Sequence, residues 1–254
     1  MSDNQVLKNK VALVTGGSRG IGRATALRLA DMGADLAINF FRSRNKAEET
    51  QKEILAKGRK CIVIRANMND PESIKKLFEE FKKEYGKLDI FINNAAMAMF
   101  GPAAEMSLKG WEATFDANTR AYFLCAQEAY NLMAPNGGGK IVAMTSYGSV
   151  RYIPGYSALG SSKAAMETLT RYLGVEFAPK NINVNCVSGG AVDTDSLRAL
   201  PNSQIIVDES IKRTPAGRIG TPEDIAKVVA FLCTEDAEWI RGQTIVADGG
   251  FSLI

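Results

Sequence analysis

A chain of 254 residues with 46% apolar content can bury a large core and requires no more than one α/β domain. Its 31 basic and 28 acidic residues leave a formal charge of +3, too weak and too dispersed to argue for a nucleic-acid or membrane partner. There is no histidine, and the four cysteines, Cys61, Cys125, Cys186 and Cys233, are far apart with no CxxC spacing. That argues against a metal site and a Ser-His-Asp triad, and the cysteines read as core residues of a reducing compartment. The amino-terminal residues show neither a charged n-region nor an apolar h-region, and no apolar run reaches membrane length, so the expected location is the cytoplasm.

Strand and helix patterns then alternate along the chain. Residues 11–15 form a short apolar run, and glycines at 16, 17, 20 and 22 lead into a helical pattern over 21–32. A run at 36–40 precedes a charged helix over 43–57, and one at 61–65 precedes a helix opened by Asp70-Pro71 and ending near Tyr85. After 90–93 a long helix is expected over 108–133, closed by Pro135 and Gly137-Gly-Gly139. Residues 141–144 read as a buried strand, 156–178 as a helix, 182–187 as a strand, 193–213 as irregular, 222–233 as helical and 244–247 as the last strand. Seven short apolar strands separated by helices predict one doubly wound, Rossmann-type α/β domain, a parallel sheet flanked by helices with ligands beyond the carboxyl ends of its strands.

Gly155-Tyr-Ser-Ala-Leu-Gly-Ser-Ser-Lys163 holds the pair best suited to chemistry. Seven helical steps of about 100° return to within about 20° of the start, so Tyr156 and Lys163 are expected on one helix face. An ammonium near a phenol favours the phenolate and lowers a pKa of about 10. Thr15-Gly-Gly-Ser-Arg-Gly-Ile-Gly22 follows the first strand and opens the first helix, the context in which glycines let the backbone approach a pyrophosphate beneath unpaired helix N–H groups.

The Gly-x3-Gly-x-Gly spacing resembles that of the short-chain dehydrogenases/reductases, and further matches cover essentially the whole chain. Asn93-Asn-Ala-Ala96 resembles the family's Asn-Asn-Ala-Gly turn, Ser146 ends the fifth strand at the place of the family serine, and Ser188-Gly-Gly-Ala-Val-Asp-Thr194 resembles the loop that holds the nicotinamide amide. Asn118 stands where the family has a structural or proton-relay asparagine, and a helix-interior amide bonded to backbone is the other reading. The resemblance implies Gly16, Ser18, Arg19, Gly20, Ile21, Gly22, Asn94, Ala95, Gly189, Ala191, Val192, Thr194 and Lys163 as cofactor contacts, with Asn67 and Met68 toward the adenine.

One departure bears on the reaction. Most members carry Tyr-x3-Lys, but Leu159 stands four residues before Lys163, and the available tyrosine is Tyr156 in a Tyr-x6-Lys arrangement like that of the enoyl-acyl-carrier-protein reductases. In a 2-enoyl thioester, hydride goes to the β-carbon while negative charge collects on the thioester oxygen, so the acid stands farther from the nicotinamide. Three residues of helix, about 4.5 Å of rise, is the right order for that displacement. Gly138-Gly-Lys-Ile-Val142, Gly148-Ser-Val-Arg-Tyr152, Thr214-Pro-Ala-Gly-Arg218 and Arg241-Gly-Gln-Thr-Ile-Val246 resemble the type III, NADPH-using enoyl-acyl-carrier-protein reductase of Gram-positive bacteria. That resemblance implies Tyr156 bonding the thioester oxygen, Lys163 binding ribose hydroxyls, Ser146 lining the site or assisting, and a homotetramer.

Cofactor choice follows from charge. Where NAD binders place an acid, this chain has Asn39-Phe-Phe-Arg-Ser-Arg44, and Arg42, Ser43 and Arg19 can satisfy a 2′-phosphate, so NADPH is expected. The segment 193–213 reads as a substrate lid. Its Leu197, Leu200, Ile205, Ile206 and Val207 either line a channel for the acyl chain or pack the lid down, while Arg198, Lys212, Arg213 and Arg218 are docking candidates for an acidic acyl carrier protein or ordinary surface charges. The expected substrate is an enoyl thioester on acyl carrier protein or coenzyme A. An ordinary carbonyl reductase and a non-catalytic dinucleotide-binding protein stay open as alternatives.

Overall fold

A computed structural model describes residues 5–198 and 203–254. Each strand is short and apolar, and each is followed by a segment with helical signals. The order is β1 (Val11–Val14), α1 (Gly20–Asp31), β2 (Asp35–Phe40), α2 (Arg44–Ala56), β3 (Cys61–Arg65), α3 (Pro71–Tyr85) and β4 (Ile90–Asn93). There follow α4 (Leu108–Phe115), α5 (Ala121–Met133), β5 (Gly139–Ser146), α6 (Ser157–Glu176), β6 (Ile182–Gly189), α7 (Asp195–Arg198), α8 (Ser203–Arg213), α9 (Pro222–Leu232) and β7 (Thr244–Ala247). All seven strands run parallel in the order β3-β2-β1-β4-β5-β6-β7. The order reverses beside β1, so a crevice opens between the ends of β1 and β4.

Alternation along β1 explains the two-sided core. Ala12 and Val14 join Leu29 and Ala30 of α1, Ile54 of α2 and Val229 of α9 on one face of the sheet. Val11 and Leu13 face the other way, among Phe81 of α3, Tyr122 of α5 and Met166 of α6. Helix ends follow local chemistry. Asp70 accepts from the Glu72 N–H at 3.1 Å with Pro71 in the first turn, and Gly86 closes α3 at φ 72°. Thr221 and Asp224 form a capping box ahead of α9.

The long helix expected over 108–133 is present as α4, a π-helical turn at Asp116–Arg120 and α5, and the buried Asn118 in that turn bonds outside the helix. The segment read as irregular contains α7 and α8, because its mixed apolar and charged pattern is too weak to show a helical period. Leu200 lies outside the described residues.

The four cysteines are buried thiols, and burial pushes those of Cys61, Cys186 and Cys233 up to about 12. Among the described residues no helix is long and apolar enough to cross a membrane, and no cluster of three His, Cys, Asp or Glu could hold a metal ion. Phe81 is fully buried, its ring tilted against that of Tyr85 at 5.3 Å between centroids. Phe81→Ala is expected to cost about 3–5 kcal/mol, read as a lower urea midpoint with an unchanged slope.

Candidate active site

The glycine-rich loop is held as a cradle. Gly16 and Gly20 adopt φ 65° and 53°, which glycine takes without strain, and a Cβ on Gly22 would collide with the Gly16 carbonyl and the Asn94 amide. Asn94 Nδ2 donates to the carbonyls of Thr15 at 2.9 Å and Gly16 at 3.2 Å, and the Thr15 hydroxyl accepts from the N–H groups of Asn94 at 3.0 Å and Ala95 at 3.1 Å. Asn94 and Ala95 therefore set the shape of the loop. Thr15, which the sequence reading did not single out, is the hinge of this arrangement. The N–H groups of Gly20, Ile21 and Gly22 have no acceptor among the described residues, and Arg19, the N-cap of α1, supplies no side-chain cap. Free donors at the positive end of a 12-residue helix, with Ser18 buried beside them, fit a pyrophosphate.

Toward β2 the surroundings turn basic. Asn39 points inward, its Nδ2 donating to the carbonyls of Ile64 at 3.3 Å and Ala66 at 3.2 Å while its Oδ1 accepts from the Gly16 N–H at 3.3 Å. Arg42 is exposed, lies over the Phe41 ring at 5.6 Å and has no carboxylate in ion-pair reach among the described residues. Ser43 is the N-cap of α2 without a side-chain cap bond. Asn67 Oδ1 accepts from the Asn69 N–H at 3.1 Å. The Met68 side chain is buried in the cluster that includes Ile74 and Phe78, because an apolar thioether gains more there than at a polar rim.

Beyond β6, Gly189 is half-buried at the strand end, Ala191 accepts from the Gly220 N–H at 2.9 Å, and Val192 is buried and bridged to Gly220. Thr194 returns to the cradle, its Cγ2 lying 3.5 Å from where a Cβ on Gly20 would stand.

Tyr156 stands outside the regular helix, as the N-cap of α6 at φ −105° and ψ 9°. Its carbonyl still accepts from the Gly160 N–H at 2.7 Å, which aligns it with the first helical turn. The phenolic oxygen lies 3.0 Å from Ser146 Oγ, and Gly148 donates its N–H to that serine at 3.3 Å. The ring rests on Gly148, since a Cβ there would stand 2.5 Å from both Cδ1 and Cε1 of Tyr156. Gly160 lies against Gly148 in turn: a Cβ on Gly160 would come 2.5 Å from the Gly148 carbonyl. Phe100 contributes a tilted ring at 5.7 Å, and Gly101 donates to the Gly155 carbonyl at 2.9 Å, tying the loop after β4 to the residue before Tyr156. The buried Leu159 offers no proton donor.

Lys163 is buried, and its Nζ donates to the Met144 carbonyl at 2.7 Å. Burial lowers its pKa to about 8, while Cys186 and Glu167 favour the charged form. The expected lowering of the phenol by this ammonium is not what the fold produces. Burial raises the Tyr156 pKa, offset in part by the Ser146 hydrogen bond. Glu167, one turn beyond Lys163, accepts from the hydroxyls of Thr145 and Ser149 at 2.6 Å each and braces both sides of Ser146. Its i+4 spacing from Lys163 was the available signal. Asn118 follows the backbone reading, donating to the Met97 carbonyl at 2.8 Å and Ser162 Oγ at 3.2 Å.

Residues 16–252 match a family model described as enoyl-(acyl carrier protein) reductase. The chain belongs to the short-chain dehydrogenases/reductases. It is 40% identical over 253 residues to the 1-cyclohexenylcarbonyl-CoA reductase of Streptomyces collinus, covering 97% of this chain and 88% of that one. Versicolorin reductase 1 of Aspergillus parasiticus is 38% identical, with 98% and 99% covered. The crystal structure of a short-chain dehydrogenase from Burkholderia cenocepacia in complex with NADP superposes with a TM-score of 0.90 at 34% identity, covering 97% of this chain and 99% of that one. The chain is thus an oxidoreductase of this superfamily, whose cofactor is a nicotinamide dinucleotide, and the cradle described above fits one.

Two outcomes test this geometry. Gly148→Ala is expected to push the phenol off its seat and lower turnover roughly a hundredfold while nucleotide affinity stays within a factor of about two, measured by steady-state kinetics beside a binding titration. For Lys163, between the folded value of about 8 and the usual 10.5, the unfolded chain holds a proton that the folded chain has released. Its contribution to stability therefore rises with pH across that window. Denaturant titrations should show wild type gaining on Lys163→Met from pH 8 to 10, and a constant gap refutes the depressed ammonium.

Proposed function

We propose that this chain is an NADPH-dependent enoyl-acyl-carrier-protein reductase, reducing the 2,3 double bond of trans-2-enoyl thioesters in bacterial fatty acid elongation. The observation that carries the reading is the 3.0 Å pairing of Tyr156 with Ser146 while position 159 is leucine. The name of the Streptomyces collinus relative supports it, since a 1-cyclohexenylcarbonyl thioester has its carbon–carbon double bond conjugated with the thioester carbonyl. NADPH is favoured over NADH by Arg42, Ser43 and Arg19 and by an amide at Asn39 in place of an acid.

When bound, a nicotinamide dinucleotide would supply the hydride for the β-carbon. Negative charge then collects on the thioester oxygen, Tyr156 donates a hydrogen bond to it, and the enolate takes a proton from solvent at the α-carbon to complete the reduction. A phenol whose pKa is raised by burial stays protonated at neutral pH and so remains a donor. Ser146 accepts or donates at the phenolic oxygen and holds its direction. Lys163 is assigned to the ribose hydroxyls and to electrostatic support of the oxyanion. On α8, Ile205 and Ile206 are exposed, which favours lining an acyl channel over packing the segment down.

Acyl carrier protein or coenzyme A presents the substrate in this reading. The four basic candidates for a docking patch are already engaged. Arg198 pairs with Asp193 at 2.8 Å, Lys212 with Glu209 at 2.7 Å and Arg218 with Asp224 at 2.6 Å, and Arg213 lies over the Phe251 ring at 4.8 Å. A cytoplasmic homotetramer remains the expected form. Exposed apolar side chains support it, among them Trp111, Phe123, Tyr172 and Val175 on α4 to α6 and Trp239, Val246 and Leu253 near the carboxyl end.

A second reading, a carbonyl reductase of the same fold, is favoured by the likeness to versicolorin reductase 1. Purified chain, NADPH and crotonyl thioester, run beside a 3-oxoacyl thioester, separates the two. NADPH oxidation with the enoyl substrate, reduced about 10²-fold or more in Tyr156→Phe with nucleotide affinity nearly unchanged, is expected. Oxidation with only the oxo substrate overturns the proposal.

A further inference from the structure

Three charged side chains from three separate segments meet at the basic end of the site. Asp195 Oδ2 lies 3.0 Å from Lys46 Nζ and 3.8 Å from Arg19 Nη1. Arg19 belongs to the glycine-rich loop, Lys46 to the first turn of α2 just beyond Arg42 and Ser43, and Asp195 opens α7. Thr194 beside it packs over Gly20, so the segment after β6 lays a carboxylate directly on the cations of the cradle. Arg42, four residues before Lys46, has no such partner among the described residues. All three side chains of the cluster are about half exposed, so an incoming anion can exchange for the carboxylate without opening the core.

Charge decides which anion wins. A phosphate monoester carries about −1.5 to −2 and three acceptor oxygens, against a single charge and two oxygens on the carboxylate. Hydride-carrying nucleotides differ at this end only by the 2′-phosphate. We infer that Asp195 is an internal competitor of the 2′-phosphate, holding Arg19 and Lys46 until NADPH displaces it, and that Lys46 is a further specificity-determining residue for NADPH over NADH. The inference rests on the NADPH reading above. It gives the ion pair a consequence for binding: affinity for NADPH stays below what the bare cations provide, and α7 is released from the glycine-rich loop once the nucleotide is in place.

Titration of the full chain with NADPH and with NADH, followed by nicotinamide fluorescence, tests it on wild type, Asp195→Asn, Lys46→Gln and the double variant. Asp195→Asn is expected to tighten NADPH by about two- to fivefold, the range for an exposed ion pair, with NADH unchanged. Lys46→Gln weakens NADPH alone, and the gain from Asp195→Asn shrinks in that background. Tightening shared equally by NADH, or weaker NADPH binding in Asp195→Asn, overturns the inference. Equal affinity of wild type for the two nucleotides overturns the NADPH reading and this inference together, whereas a wild-type preference for NADPH that Asp195→Asn leaves unchanged overturns this inference alone.

Discussion

A phenolic oxygen can stay 3.0 Å from a serine hydroxyl only if the ring behind it has one place to lie, and in this chain that place is the bare backbone of Gly148. The rest of the site is arranged around that seat. Gly160 lets α6 close against the Gly148 carbonyl, the Gly101–Gly155 hydrogen bond fixes the approach of the preceding loop, and Glu167 holds the hydroxyls on either side of Ser146. Each contact removes one way for the ring to move, so the donor is oriented before any substrate arrives.

The two ends of the site follow opposite electrostatic rules. Around Tyr156 and Lys163 burial dominates, raising the phenol and lowering the ammonium, so both groups are driven toward their neutral forms. In the proposed reaction, a neutral phenol is a hydrogen-bond donor to an oxygen that gains charge only as hydride is transferred. At the cradle Arg19, Arg42 and Lys46 are instead exposed to solvent. A fold with parallel strand ends on one edge allows both environments within one crevice: the buried end sits over β5, the open end beside β1 and β2.

Membership of a superfamily whose relatives include a 1-cyclohexenylcarbonyl-CoA reductase and a versicolorin reductase makes the local departures more informative than the shared features. In the proposed reaction, leucine at 159 and tyrosine at 156 change which atom of the substrate meets the donor. The N-cap position of Tyr156 adds to this, because a residue outside the helix is set by its neighbours' shapes and not by helical geometry alone.

Sequence by itself determined the seven strands, their parallel arrangement and the glycine-rich turn, and marked Tyr156, Lys163, Ser146 and Arg42 as candidates, because each is written in local period, spacing or residue type. Tertiary structure decided what depends on residues distant in the chain. It buried the Met68 side chain, gave Lys163 a β5 carbonyl as partner, widened one turn of the long helix at Asn118 and built α7 and α8 where no clear period was visible. It also set the direction of the phenol's pKa. Spacing along a helix predicts which groups can come near each other, but burial and the nearest hydrogen-bond partner decide what each group becomes once there.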